Sequence, residues 1–267
     1  MTLGFGVTST IDLSLVQRIA PEIEAAGFSF FWSNDIPGGS SFDVLAAAAG
    51  MTTEINVANG VVPIDRVPPG EWKDRIDRAG LTADRFYAGI GSGGMEAPLG
   101  PMRDAIDEIR EDTECRVIVG ALRSRMRRLA AEHADGVLLN WLTPEAAAVR
   151  RNEALSIREE LGIKESYVTA AFVRVAIGDA AIERLRHEAR KYESFPSYGR
   201  HFDEMGVSAF ETAVAASSVE EAADGLLPFF GALDHTVLRC VVATEDDDSY
   251  LQLVEAGKLA LARGGSV

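Results

Sequence analysis

"RFYAGIGSGG" (residues 85–94) sets an aromatic-led apolar run against an abrupt stop of glycines. Phe86 to Ile90 reads as a buried strand, and Gly91, Ser92, Gly93 and Gly94 end it. A chain places so bare a loop directly after a core strand for one of two reasons. Either a tight turn is needed, or something such as a phosphate or a flat ring must come close to the main chain. This stretch alone leaves both open.

Working outward, the same kind of run recurs along the whole chain. Strands are expected over 3–9, 28–35, 55–63, 85–91, 115–121, 135–141, 167–177 and 236–244. They are near-continuous hydrophobic runs, as expected of parallel strands covered on both faces. Helical patterns lie between them. Leu15, Ile19, Ile23 and Ala26 share one face of a segment that ends at Gly27. Thr143 and Pro144 read as the N-cap and first residue of a helix closing at Gly162. Ser218 and Glu221 have capping-box spacing. Met126, Leu129, Ala130 and His133 fall on one stripe. Eight strands alternating with as many helices imply an α/β fold, a single (β/α)8 TIM barrel over residues 1–267. An open doubly wound sheet is the alternative. The segment 190–206, after the seventh strand, is expected to be irregular, broken by Pro196 and Ser197, and to lie over one end of the barrel.

The 267 residues carry a net charge of −15 and are 47% hydrophobic. Such an acidic balance argues against nucleic-acid binding, which needs a basic excess. No stretch approaches a membrane span, and the N-terminus does not read as a signal peptide, so a cytoplasmic protein is expected. Cys115 and Cys240 read as small core residues, and the four histidines have no metal-ligand spacing, so no metal is expected.

In a barrel of this type the active site lies at the carboxyl ends of the strands. The residues there are Thr8 and Ser9, Asn34 and Asp35, Asn59 to Pro63, Gly91 to Gly94, Gly120 and Ala121, Asn140 and Trp141, and Thr244 and Glu245. The Gly91–Gly94 loop can hold an anion on its N–H groups or serve as a structural turn. Arg123, Arg125, Arg127 and Arg128 crowd the start of a helix, where cations are disfavoured. A bound anion would relieve that conflict; the alternative is a solvated face with the acidic surface as counterion. Asp35 reads either as an acid–base or ligand-binding carboxylate or as a turn residue. No Gly-x-Ser-x-Gly elbow or Cys–His pair suggests a hydrolase. A glycine-lined mouth with few acid–base groups suits a protein whose cofactor performs the chemistry.

At these residues the chain resembles the luciferase-like flavin and deazaflavin oxidoreductases. "DRFYAGIGSGG" (84–94) is similar to the family's fourth-strand signature, and "GFSFFWSND" (27–35) to its second strand, where a Trp precedes an Asp by three residues. "NGVVPIDRVPP" (59–69) resembles the third strand, where the family often carries a non-prolyl cis peptide, here Gly60–Val61. "HADGVLLNWLTPEAA" (133–147) and "YESFPSYGRHFDEMG" (192–206) resemble the sixth strand and the segment bordering the cofactor mouth. The resemblance implies a homodimeric oxidoreductase acting on a small molecule. It would use coenzyme F-420, a deazaflavin, for hydride transfer. The alternatives are an FMN-dependent monooxygenase and a catalytically idle cofactor-binding barrel. By resemblance the cofactor contacts are Asp35, Gly60, Val61, Ser92, Gly93, Gly120 and Ala121; strand-end position adds Asn34 and Gly94, and the arginine cluster adds Arg123, suited to a charged cofactor tail. Asp35 is the one catalytic candidate, and it would also be the base of a cofactor-free lyase or isomerase. Ile36 stands where deazaflavin members often carry a proton-donating His, and Gly94 where they may carry a Glu.

Overall fold

The computed structural model describes residues 2–265. In chain order it runs β1 (Thr2–Thr8), α1 (Leu13–Ala25), β2 (Phe30–Asn34), α2 (Ser41–Ala49), β3 (Asn56–Asn59), β4 (Val62–Pro63), α3 (Trp72–Ala79), β5 (Phe86–Gly91) and α4 (Leu99–Thr113). It continues with β6 (Arg116–Gly120), α5 (Ser124–His133), β7 (Gly136–Asn140), α6 (Pro144–Glu160), β8 (Val168–Ile177), α7 (Asp179–Glu193) and α8 (Pro196–Met205). It ends with β9 (Val214–Ala216), α9 (Val219–Ala232), β10 (His235–Cys240) and α10 (Asp247–Gly264). Eight parallel strands pair in the order β10-β1-β2-β3-β5-β6-β7-β8, and β8 pairs with β10 to close the barrel. The two short extra strands, β4 and β9, pair with β5 and β8.

The caps fall largely where the sequence puts them. Thr143 Oγ1 accepts from Ala146 N at 3.3 Å with Pro144 at the first helical position, and Gly162 follows the helix at φ 68°. Ser218 Oγ accepts from Glu221 N at 3.2 Å. The return bond is displaced by one residue, because the Glu221 carboxylate takes Ser217 N at 2.8 Å. His133 is exposed, not part of the buried stripe, because α5 ends on it. The expected irregular segment is helical: Pro196 opens α8, the position at which its missing N–H costs nothing.

Two packed regions meet along the barrel wall. Between strands and helices lies an aliphatic layer that includes Val7, Leu15, Ile19, Val117 and Leu238. Inside the barrel, Phe30, Trp32, Tyr87, Phe172 and His235 fill the lumen beneath the carboxyl rim. Gly4 makes room for them, since a Cβ there would lie 2.6 Å from His235 Nε2.

His235 is buried, and its ring hydrogen bonds fix the tautomer. Trp32 Nε1 donates to Nε2 at 3.0 Å, so Nδ1 carries the proton and faces Thr2 Oγ1 at 2.7 Å. Burial pushes this imidazole down to about 3 from 6.5. The unfolded chain therefore binds the extra proton throughout that window, and stability falls as pH falls. The expected loss is roughly 1.4 kcal/mol per pH unit below 6.5, about 2 kcal/mol by pH 5. His201, also pushed down by burial, adds to it. Urea unfolding of wild type and His235→Gln between pH 7 and 5 checks this. An identical slope in the two would count against it.

Candidate functional site

A cavity of about 530 Å³ opens among the carboxyl ends of the strands, a size typical of sites that enclose a small molecule. Its floor is Leu138 and Phe172, the upper face of the lumen aromatics. One wall is nearly bare main chain: Gly60 and Val61 after β3, Gly91 to Gly93 at the end of β5, and Gly120 and Ala121 at the end of β6.

Packing explains that bareness. The Gly60–Val61 peptide bond is cis, as the family resemblance implied. Val61 then reaches across the ends of β5 and β6. A Cβ at Gly91 would lie 2.7 Å from Val61 Cγ2, and one at Gly120 2.8 Å from the same atom. A Cβ at Gly60 would meet Phe172 Cζ at 2.5 Å. Any larger residue at these positions would displace Val61 or Phe172, both of which line the cavity.

The structure brings Asn34, Gly60, Val61, Ser92, Gly93, Gly120, Ala121 and Arg123 to this one cavity. Asp35 and Gly94 are not among its lining residues. The Asp35 side chain is 7% exposed, pairs with Arg66, and accepts from Ser41 N at 3.0 Å at the start of α2. Its carboxylate therefore has a structural use already. The N–H of Gly94 donates to Asp65 Oδ2 at 2.8 Å, so the glycine loop holds a carboxylate of its own chain.

The arginine cluster divides. Arg127 is buried against Glu153 and the Leu122 carbonyl, Arg128 pairs with Glu132, and Arg123 pairs with Glu204 at 3.0 Å. Arg125 lines the cavity and, among the described residues, has no ion-pair partner. It stands in the first turn of α5, whose N-terminus has no side-chain cap. Unpaired N–H groups and a free guanidinium therefore share one edge of the cavity, an arrangement that favours an anion.

The opposite wall was missed by sequence reasoning. Asn140, Tyr192 and Tyr198 face the cavity; Arg174, a buried residue in the middle of β8, holds the first two, and Asn140 holds Tyr198. Arg174 Nε donates to Glu188 Oε1 at 2.8 Å and Nη1 to Asn140 Oδ1 at 2.7 Å. Its guanidinium stacks 3.5 Å from the Trp141 ring centroid and 5.0 Å from that of Tyr192. His201 of α8 donates from Nε2 to the Trp141 carbonyl at 2.8 Å, fastening this segment over the strand ends. Asn140 was visible as a strand-end residue and Tyr198 lay in the flagged segment, but nothing local joined them.

Among the described residues, no His, Cys, Asp or Glu lines the cavity. Its titratable side chains are Arg123, Arg125, Tyr192 and Tyr198. Burial pushes Tyr198 up to about 12, so it is a neutral phenol at physiological pH.

No family model matches the chain. It is 23% identical over 232 residues to a 5,10-methylenetetrahydromethanopterin reductase of Archaeoglobus fulgidus, covering 72% of this chain and 70% of that protein. Its fold is that of a coenzyme F-420-dependent tetrahydromethanopterin reductase from Methanopyrus kandleri (TM-score 0.69, 18% identity, 95% and 97% of the two chains). An F-420-dependent secondary alcohol dehydrogenase bound to an F-420–acetone adduct superposes with a TM-score of 0.78 at 13% identity over 98% of each chain. The oxygenating constituent of 3,6-diketocamphane monooxygenase from Pseudomonas putida, with FMN, does so at 0.71 and 12%, over 99% of this chain and 98% of that one. The likeness read along nearly the whole chain is matched by a shared fold over 95–99% of it. No described helix is long and apolar enough to cross a membrane.

Proposed function

We propose that this chain is an oxidoreductase that binds coenzyme F-420 in the rim cavity and works on a small organic molecule, as a homodimer. The observation that carries this reading is the cavity's composition. Main chain, aromatic rings and arginines line it, and among the described residues no carboxylate, imidazole or thiol does, which suits chemistry supplied by a bound group. The group fits the walls: glycines that Val61 and Phe172 keep bare admit a flat ring, and Arg125 at the open end of α5 meets a charged tail.

A bound deazaflavin would supply hydride transfer. The chain's own residues do the rest. Gly60–Val61, Ser92, Gly93, Gly120 and Ala121 present main chain to the ring, with Asn34 beside them. Arg123 and Arg125 hold the tail. Phe172 and Leu138 close the floor and keep water from the reacting face. In this reading Asp35 acts at one remove, by fixing Arg66 and the start of α2, and Gly94 fixes the loop through Asp65.

Thermal unfolding with each cofactor tests the proposal. Coenzyme F-420 at about 100 times its Kd is expected to add about 2.7 kcal/mol, and Arg125→Ala to raise that Kd. Stabilisation by FMN alone would point to the monooxygenase alternative. Stabilisation by neither would refute both. Binding without turnover of any electron acceptor would identify an idle barrel.

A further inference from the structure

We propose that Tyr198 is a substrate-binding hydrogen-bond donor, oriented by Asn140 and Arg174, and that it takes the carbonyl oxygen of the substrate. This rests on the rim cavity being the reaction site.

The direction of each hydrogen bond is forced. A guanidinium only donates, so the Asn140 atom 2.7 Å from Arg174 Nη1 must be the amide oxygen. The amide nitrogen then faces Tyr198 Oη at 3.2 Å. An amide nitrogen also only donates, so the phenol oxygen is the acceptor in that contact. Among the described residues, the phenol's own proton has no acceptor. Tyr198 and Asn140 both line the cavity, so that proton is available to whatever enters.

The arrangement is rigid where it needs to be. Arg174 cannot turn, because Glu188 holds Nε at 2.8 Å and Trp141 lies against its plane. The Tyr198 ring packs edge-on against Tyr192 with centroids 4.8 Å apart.

The donor decides the acceptor. A phenol O–H calls for an oxygen lone pair, and the adjoining floor, Leu138 and Phe172, is apolar. A ketone or aldehyde oxygen accepts that one hydrogen bond while its hydrocarbon lies against the floor. Behind the wall Arg174 and Arg239, register neighbours on β8 and β10, both act on Glu188. Arg125 stands apart from them, in the first turn of α5. A phenol here also supplies the donor that Ile36 and Gly94, at positions where the resemblance offered His and Glu, do not.

The test uses the full-length protein and cyclohexanone labelled with 13C at the carbonyl, alone and with saturating coenzyme F-420. In wild type the bound carbonyl resonance is expected to move downfield. Tyr198→Phe should abolish that movement and raise the ketone Kd roughly three- to tenfold, the loss of one hydrogen bond. Asn140→Asp should do the same with the phenol still in place. Its carboxylate would accept the phenol proton and draw it away from the cavity, an effect that mere loss of packing would not give. A downfield shift that survives Tyr198→Phe overturns the proposal, as does a ketone that shows no bound signal. Failure of the cofactor reading appears separately, as absent stabilisation by either cofactor in wild type.

Discussion

Replacing Gly89 with alanine is expected to cost roughly 3 kcal/mol, the upper end of what overpacking does, or to prevent folding outright. Gly89 lies inside β5, paired with Ile118 of β6. A Cβ there would stand 1.7 Å from the Asn59 carbonyl oxygen and 2.7 Å from its carbon. Neither is the end of a flexible side chain. Asn59 cannot retreat, because its Nδ2 donates to Ser41 Oγ at 2.7 Å and the next amide, Gly60 N, donates to Ser33 O at 2.8 Å. Any movement that admits the methyl must shift Gly60 and Val61, so cofactor affinity should fall together with stability. Gly231→Ala is the control. It lies in α9 with nothing near its Cβ position, and should stabilise by up to about 1 kcal/mol. Urea midpoints of the two variants decide the matter. A Gly89→Ala protein as stable as wild type would mean that the β3–β4 crossing does not press on β5.

That contrast also shows which glycines could be read. The Gly91–Gly94 loop announces itself, because four residues with almost no side chain follow a core strand. Gly89 does not, since what demands it is Asn59, brought against it only by folding, and Gly120 was flagged by its strand-end place while its packing against Val61 was not visible. The strands themselves were legible for a simple reason. Barrel strands are covered on both faces, so each is a continuous apolar run, and the expected run 167–177 differs from the observed β8 by one residue. Polar contacts were far less legible. Asp35 could be read as a site carboxylate or as a turn residue, and what separates the two, Arg66 and Ser41, approaches it only in three dimensions. Pro196 looked like a breaker, yet it starts a helix, because the same ring that forbids a helix interior suits a helix start. The Tyr198 wall joins Asn140 directly to Tyr198, 58 positions away in sequence, and an arginine on a third element sets the Asn140 amide. Periodicity carries no trace of such a join.

The barrel and the wall meet at Arg174, and Arg174→Met is expected to cost roughly 3 kcal/mol at pH 7. Removing one partner of a buried ion pair costs about 3–5 kcal/mol, because the other charge stays behind. Here the lower figure applies. Burial pushes the Glu188 carboxyl up, but Arg174, Arg239 and Arg184 together hold it below its ordinary 4.5, and two of these remain in the variant. The sign of the pH dependence follows. In wild type the depressed pKa gives stability that is present above about 4.5 and is lost as pH falls through the folded value. In Arg174→Met the burial contribution gains weight, the carboxyl takes up a proton at higher pH, and the deficit relative to wild type narrows as pH falls from 7 to 4. Adding Glu188→Gln should recover at least half of the loss at pH 7, because it removes the stranded charge and not the lost stacking on Trp141. Urea unfolding of the two variants at pH 7 and pH 4 separates these contributions. A deficit that neither acid nor Glu188→Gln reduces would mean that packing on Trp141, and not the ion pair, is what Arg174 contributes. In that case the hydrogen bond from Nη1 to Asn140 would still set the amide, and Tyr198 would keep its orientation only as long as the guanidinium stays in place.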